Sequence, residues 1–157
     1  MSAYASVQWA RHLAPLLLAW LLAAVWGSVV QTQWNLQALV VLGVDIPATE
    51  RARATWQDLI GFAPVYAGIL AAGWLPALPV AALLARRCPT WRSPLLAIAA
   101  GLGMVAAVRA VDAVAPMPVF IDATRHLPGL LAMATGALIA GLLYAKLTER
   151  DTISRMP

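Results

Sequence analysis

The chain has 157 residues, of which 62% are hydrophobic and 11% are charged, and its formal net charge is +4. Soluble domains contain roughly 25% charged residues, so this composition is typical of an integral membrane protein. Because about four spans of roughly 20 residues use most of the length, we expect no large catalytic domain outside the membrane. The basic residues are scattered and form no patch for nucleic acid. The single cysteine, Cys88, excludes an intrachain disulfide framework.

Four apolar runs predict an all-α integral membrane protein that consists of one four-helix domain. The first run follows Arg11 and His12 and has features of a secretory signal, but its length favours an uncleaved span. The second run contains Pro64, Pro76 and Pro79, which predict a bent helix packed against partners. We place the transmembrane helices at about residues 13–30, 59–84, 94–115 and 127–145.

The segment between the first two spans keeps helical spacing beyond Val30 and reaches a stop signal at Gly43. Another short helical stretch then leads into the second span. We interpret residues 31–58, together with the 115–126 loop, as a small helical extracytoplasmic cap. Its apolar residues must be covered by lipid, by the cap itself or by another protein, although a solvated surface is the alternative for its polar ones. We predict an outer-cap interface at Gln31, Gln33, Trp34, Asn35, Arg51, Arg53, Trp56 and Asp58.

Small residues recur four positions apart on the predicted second, third and fourth spans. Such stripes let another helix approach closely in a membrane, although the abundance of alanine alone would also produce them. The predicted helix-packing positions are Gly73, Ala77 and Ala81, then Gly103 and Ala107, and finally Ala132, Gly136 and Ala140.

The basic residues divide unevenly between the two sides of this topology. The side with more of them faces the cytoplasm under the positive-inside rule, so we expect both termini there, in a bacterial-type inner membrane. The net charge is about −1 outside and about +5 inside, which suits an anionic inner leaflet. The inner residues are Arg11, Arg86, Arg87, Arg92, Lys146, Arg150 and Arg155, and the outer ones are Arg51, Arg53, Arg109 and Arg125.

Ionisable residues gather near the outer end of the third span, where a charge is costly unless it is paired or wetted. Arg109 and Asp112 have the spacing of an ion pair on one helical face. They form an interfacial ion pair, hold an anionic ligand or lipid head group, or contact a partner subunit. Asp122, Arg125 and His126 follow in the next loop, where the histidine is either solvated or part of an acid–base pair. These five residues form the predicted ligand or head-group site.

The sequence contains no nucleophile with a base, no metal-ligand cluster and no phosphate-binding loop. We therefore assign no catalytic residue, metal or cofactor, and we leave open whether the protein is an enzyme. Our leading interpretation is a non-catalytic membrane subunit or scaffold in the lipid bilayer. It would pack against other membrane proteins, or form a homo-oligomer, through small-residue helix faces and the outer cap. The alternative is a small transporter or lipid-handling enzyme with its polar site at the outer end of the third span.

Overall fold

The computed structural model describes residues 2–115 and 121–153, with side chains described for 12–115 and 121–149. Within these residues every regular element is helical. The long helices are α1 (Ser2–Val41), α2 (Ala48–Arg87), α3 (Arg92–Val114) and α4 (Leu127–Ile153), and short 3₁₀ turns lie at Pro89–Trp91 and Asp122–Arg125. Residues 116–120 of the predicted cap and Arg155 of the charge count lie outside the described residues.

Each long helix contains a stretch that is long and apolar enough to cross a membrane. The prediction of an all-helical chain with four such helices is therefore confirmed for the described residues. The outer surface of the bundle carries large apolar side chains, since Leu75 is 74% exposed, Leu102 is 64% exposed and Leu131 is 55% exposed. This pattern is consistent with a multi-pass protein, because lipid tails are as apolar as leucine itself.

The connection between α1 and α2 is a helical hairpin, and we call residues 31–58 the 31–58 hairpin. α1 ends at Val41, and Gly43 follows it with a φ of 88°. The Val44 N–H donates to the Leu39 carbonyl at 3.1 Å and the Gly43 N–H to the Val40 carbonyl at 3.0 Å. These two bonds form a Schellman motif, so the predicted stop at Gly43 is confirmed.

α2 begins at Ala48 and continues without interruption into the second apolar run. The helical turns that we predicted before the second span are thus the first part of one continuous helix. The physical reason is that no glycine or proline occurs from Ala48 to Ile60. Pro64, Pro76 and Pro79 all lie inside α2.

The long helices form a closed ring in which each packs against its two neighbours, in the order α1, α2, α3, α4 and back to α1. Each of these four contacts includes a glycine whose missing side chain admits the neighbouring helix. A Cβ atom on any of these glycines would lie within 3 Å of an atom of the adjacent helix. The pairs are Gly27 with Tyr66, Gly73 with Gly103, Gly141 with Ala100, and Gly136 with Trp26.

Three tryptophan side chains join neighbouring helices through hydrogen bonds to backbone carbonyls. The Trp20 indole donates to Ala67 at 2.9 Å, the Trp26 indole to Ala132 at 2.8 Å, and the Trp74 indole to Ala100 at 2.9 Å. They connect α1 to α2, α1 to α4 and α2 to α3, respectively. Each such bond between membrane helices contributes on the order of 0.6 kcal/mol.

Candidate functional site

The five residues predicted as a ligand or head-group site form two local ion pairs. Arg109 lies 3.7 Å from Asp112 within α3, and Arg125 lies 2.8 Å from Asp122 within the Asp122–Arg125 turn. Both arginine side chains are 54% exposed, whereas Asp112 is only 11% exposed. The turn packs against α1 and α4. Each pair joins residues three apart in one element, and the more exposed Arg125–Asp122 pair contributes little stability.

His126 is exposed at the junction between this turn and α4, and its carbonyl accepts the Leu130 N–H at 3.1 Å. It therefore lies at the first turn of α4, where its backbone continues the helical bonding pattern. In the part of the chain that the structure describes, no group of three or more His, Cys, Asp or Glu residues could hold a metal ion.

The predicted outer-cap residues lie mostly in a polar layer between α1, α2 and the Asp122–Arg125 turn. The Gln31 side-chain oxygen accepts the buried Ala123 N–H at 2.9 Å. The Gln33 amide donates to the Thr55 hydroxyl at 2.9 Å, and Arg51 donates to the Gln33 oxygen at 3.4 Å. These side-chain amides form hydrogen bonds between elements of the same chain, so fewer of their donors and acceptors can bind another molecule.

Two threonines that the sequence analysis did not single out complete this layer. The Thr32 hydroxyl donates to the Asp58 carboxylate at 2.7 Å, and the Thr55 hydroxyl donates to the Arg51 carbonyl at 2.8 Å. A threonine in a helix often bonds the carbonyl four residues earlier, so helical spacing alone was a signal for the second contact. Nothing in the sequence indicated the first contact, because it joins two different helices.

The remaining predicted cap residues differ in exposure. Trp34 is half-buried and lies against Gly129, while Asn35 lies 3.5 Å from the Gln31 amide. Arg53 is exposed, and Trp56 is 65% exposed. The outer part of the hairpin thus presents apolar surface, to which Val41, Leu42 and Val44 also contribute.

The opposite end of the bundle is held together by Arg92, which the sequence analysis used only for topology. Its guanidinium donates to the Ala145 carbonyl at 2.7 Å and to the Thr148 hydroxyl at 2.6 Å. These two bonds fix the start of α3 against the last turns of α4. Arg86, Arg87 and Cys88 near the same end are exposed.

The small residues predicted to pack against helices lie largely inside the bundle. Gly73 and Gly103 face each other, with Ala77 and Ala107 beside them, and the Gly136 position receives the Trp26 ring. The Ala132 carbonyl accepts the Trp26 indole. Two further members, Ala81 and Ala140, are buried. The deepest part of each stripe therefore already contacts a helix of this chain.

A shallow apolar groove nevertheless follows the outer side of the contact between α2 and α3. It has a volume of about 860 Å³, and we call it the α2–α3 groove. It extends from Ile69 to Leu84 on α2 and from Leu95 to Val114 on α3. At 1.5 Å per residue these lengths are between about 22 and about 28 Å, which approaches the roughly 30 Å thickness of bilayer hydrocarbon.

A second groove lies between α1 and α2 at the end of the bundle away from the 31–58 hairpin. Its volume is about 380 Å³, and we call it the tryptophan groove. Its lining residues are Leu16, Leu17, Trp20, Ala71, Trp74, Leu75, Leu78, Pro79, Ala82 and Tyr144.

The described side chains thus provide apolar grooves and local ion pairs. Such an arrangement is suited to contacts with hydrocarbon and with other helices. Comparison with known proteins found no matching family model, no similar curated protein and no similar solved structure.

Proposed function

We propose that this protein is a non-catalytic subunit or scaffold of a bacterial-type inner membrane. It packs against another membrane protein, or against a second copy of itself, through the α2–α3 groove. The observation that carries this proposal is the length of the groove, which approaches the thickness of the hydrocarbon layer. A groove of that length matches a transmembrane helix better than a compact small molecule.

The side chains along the α2–α3 groove support a helical occupant. Gly73 and Gly103 form its floor, and exposed Ala72 and Ala106 lie along it. In lipid, burial of leucine gives no hydrophobic gain, so helices associate through close packing of small residues. An approaching helix would meet backbone and methyl groups here, and its own larger side chains would fill the groove.

The orientation that we propose has both termini in the cytoplasm and the 31–58 hairpin outside, as the basic residues indicate. In this orientation the hairpin forms the cap, and its exposed Val41, Leu42 and Trp56 provide a second contact area for the same partner. Apolar side chains beyond the hydrocarbon favour a partner because water does not solvate them well.

Site-specific photocrosslinking in the membrane tests this proposal. A photoreactive amino acid at Ala106 should form a discrete protein crosslink, whereas the same group at Ala14 should react with lipid. Both alanines are exposed in apolar helices, but only Ala106 lines the groove. The photoreactive group is also placed at Ala110, which lines the same groove. A protein crosslink from that position that disappears when Ala106→Phe is added would support the proposal. Reaction with lipid alone at all three positions would refute it.

The Arg109→Ala variant distinguishes the alternative function from the proposed one. A transporter or lipid-handling enzyme that uses Arg109 and Asp112 would lose its activity in Arg109→Ala while its assembly remained intact. Arg109 lies 3.7 Å from Asp112 and Arg125 lies 2.8 Å from Asp122, so each arginine already has an anionic partner in this chain. We therefore prefer the scaffold, for which Arg109→Ala should leave the Ala106 crosslink unchanged.

A further inference from the structure

We infer that the tryptophan groove binds one acyl chain of an anionic phospholipid whose phosphate lies beside Arg86. This site is independent of the α2–α3 groove and of the predicted outer polar site. It lies in the half of the bundle where α2 ends, away from the 31–58 hairpin.

The tryptophan groove enters the bundle from the lipid-facing side. Leu17 and Leu75 are 52% and 74% exposed and form its rim, whereas Trp74 and Leu78 are 4% and 7% exposed and form its floor. It reaches Tyr144 on α4, although α4 does not neighbour α2 in the ring of helices. The groove is therefore an opening between α1 and α2 that a flexible chain enters from the bilayer.

The chemistry of the walls selects hydrocarbon. The indole N–H groups of Trp20 and Trp74 already donate to the Ala67 and Ala100 carbonyls. Both rings therefore offer carbon surface to an occupant, and Tyr144 is the remaining polar side chain among the lining residues. A polar ligand would lose its hydrogen bonds to water here without replacement, which is costly.

The shape of the groove favours an acyl chain over a helix. Its wall on α1 extends only from Leu16 to Trp20, which is little more than one turn, and its wall on α2 extends from Ala71 to Ala82. A helix needs several turns of contact on both walls, as the α2–α3 groove provides. A single hydrocarbon chain needs only a short, narrow passage.

The charge at the end of the groove selects an anionic head group. Arg86 is exposed and lies one turn beyond Ala82 on the same face of α2. Arg92 is a second cation near the groove. Its guanidinium donates to the Thr148 hydroxyl, and that hydroxyl donates to the carbonyl of Tyr144, which lines the groove. Lys146 is also basic, and Glu149 is the carboxylate among the described side chains at this end. Basic pockets between membrane helices bind anionic head groups in this way.

A photoreactive phospholipid tests the inference in the intact protein. The protein is placed in phosphatidylcholine nanodiscs with a phosphatidylglycerol analogue that carries a diazirine on its acyl chain, and the adducts are mapped by mass spectrometry. We expect adducts on 16–20 and 74–82. Unlabelled phosphatidylglycerol should compete for them at lower concentration than phosphatidylcholine.

Two matched pairs of variants locate the site. Arg86→Ala should weaken competition by phosphatidylglycerol about fivefold, from the usual contribution of one arginine near an anionic lipid. Arg87→Ala removes the same charge from a different face of α2 and should have a smaller effect. Ala82→Phe should fill the groove and remove the adducts, whereas Leu83→Phe, which lines neither groove, should keep them.

Several results would overturn the inference. Equal competition by the two lipids would show that the charge at Arg86 selects nothing. Equal effects of Arg86→Ala and Arg87→Ala would show that the attraction is not local. Adducts that persist in Ala82→Phe, in a protein whose circular dichroism is unchanged, would place the acyl chain outside the groove.

Discussion

The contact between α2 and α3 predicts that Gly73→Ala destabilises the bundle while Gly68→Ala does not. A Cβ atom at Gly73 would lie 2.1 Å from the Gly103 carbonyl oxygen and 2.9 Å from the Ala107 Cβ atom. The first neighbour is backbone and cannot rotate away. A Cβ atom at Gly68, five residues earlier in the same helix, would have no neighbour within 4 Å.

The magnitude follows from this difference. To restore an ordinary contact of about 3.4 Å, the Cβ atom and the Gly103 oxygen must move apart by about 1.3 Å, and a gap of about 1 Å between packed atoms already forfeits up to half of their dispersion energy. Overpacking of this kind costs about 1–3 kcal/mol. The gain in helix propensity from Gly to Ala, about 1 kcal/mol, is common to both variants and cancels between them. We therefore expect Gly73→Ala to be less stable than Gly68→Ala by about 1–3 kcal/mol.

The assay is unfolding by sodium dodecyl sulfate in mixed micelles, followed by far-ultraviolet circular dichroism. Gly103→Ala provides a graded control, because its Cβ atom would lie 2.9 Å from the Gly73 carbonyl oxygen and should cost less than the change at Gly73. The reasoning fails if Gly73→Ala and Gly68→Ala unfold at the same detergent fraction, since the two helices would then not be in contact at Gly73.

Three further predictions test the proposed topology and two other contacts. Cys88 is exposed, so an impermeant maleimide should label it in inverted vesicles but not in intact cells; labelling in intact cells would reverse the proposed topology. Gln31→Leu should reduce the unfolding free energy by about 1–3 kcal/mol, because the buried Ala123 N–H loses its acceptor; Gln37→Leu, at an exposed position of the same helix, should cost less. Arg92→Lys should lower the thermal midpoint because lysine lacks the planar fork of donors. A double-mutant cycle with Thr148→Val should show coupling, and additive effects would contradict the bond between Arg92 and Thr148.

The sequence predicted those features of the fold that depend on local composition. Apolar runs of bilayer length identify the four helices, and Gly43 identifies the end of α1 because its positive φ suits a residue without a side chain. The continuity of α2 from the hairpin into the second apolar run was also present in the sequence, as the absence of glycine and proline from Ala48 to Ile60. We interpreted the polar residues there as a separate helical stretch before the second span. Polar residues indicate that a helix is exposed to water, but they do not indicate that it ends.

The candidate sites were less predictable because they depend on contacts between helices. The spacing of Arg109 and Asp112 indicated a pair on one helix, and the structure has that pair. By contrast, the bond from Thr32 to Asp58 and the bonds from Arg92 to α4 join distant parts of the chain. The spacing of residues within one helix does not predict contacts with another helix. The small-residue stripes indicated close helix approach, but they did not indicate whether the approaching helix belongs to this chain.

The unbroken helices of the 31–58 hairpin have a mechanical consequence. Neither α1 nor α2 has an interruption between the hairpin and its apolar span, and the bond between Thr32 and Asp58 links the two helices near that level. A force applied to the tip near Gly43 would therefore act on two uninterrupted helices that are linked to each other. The force would reach the apolar part of the bundle as a tilt of both helices together.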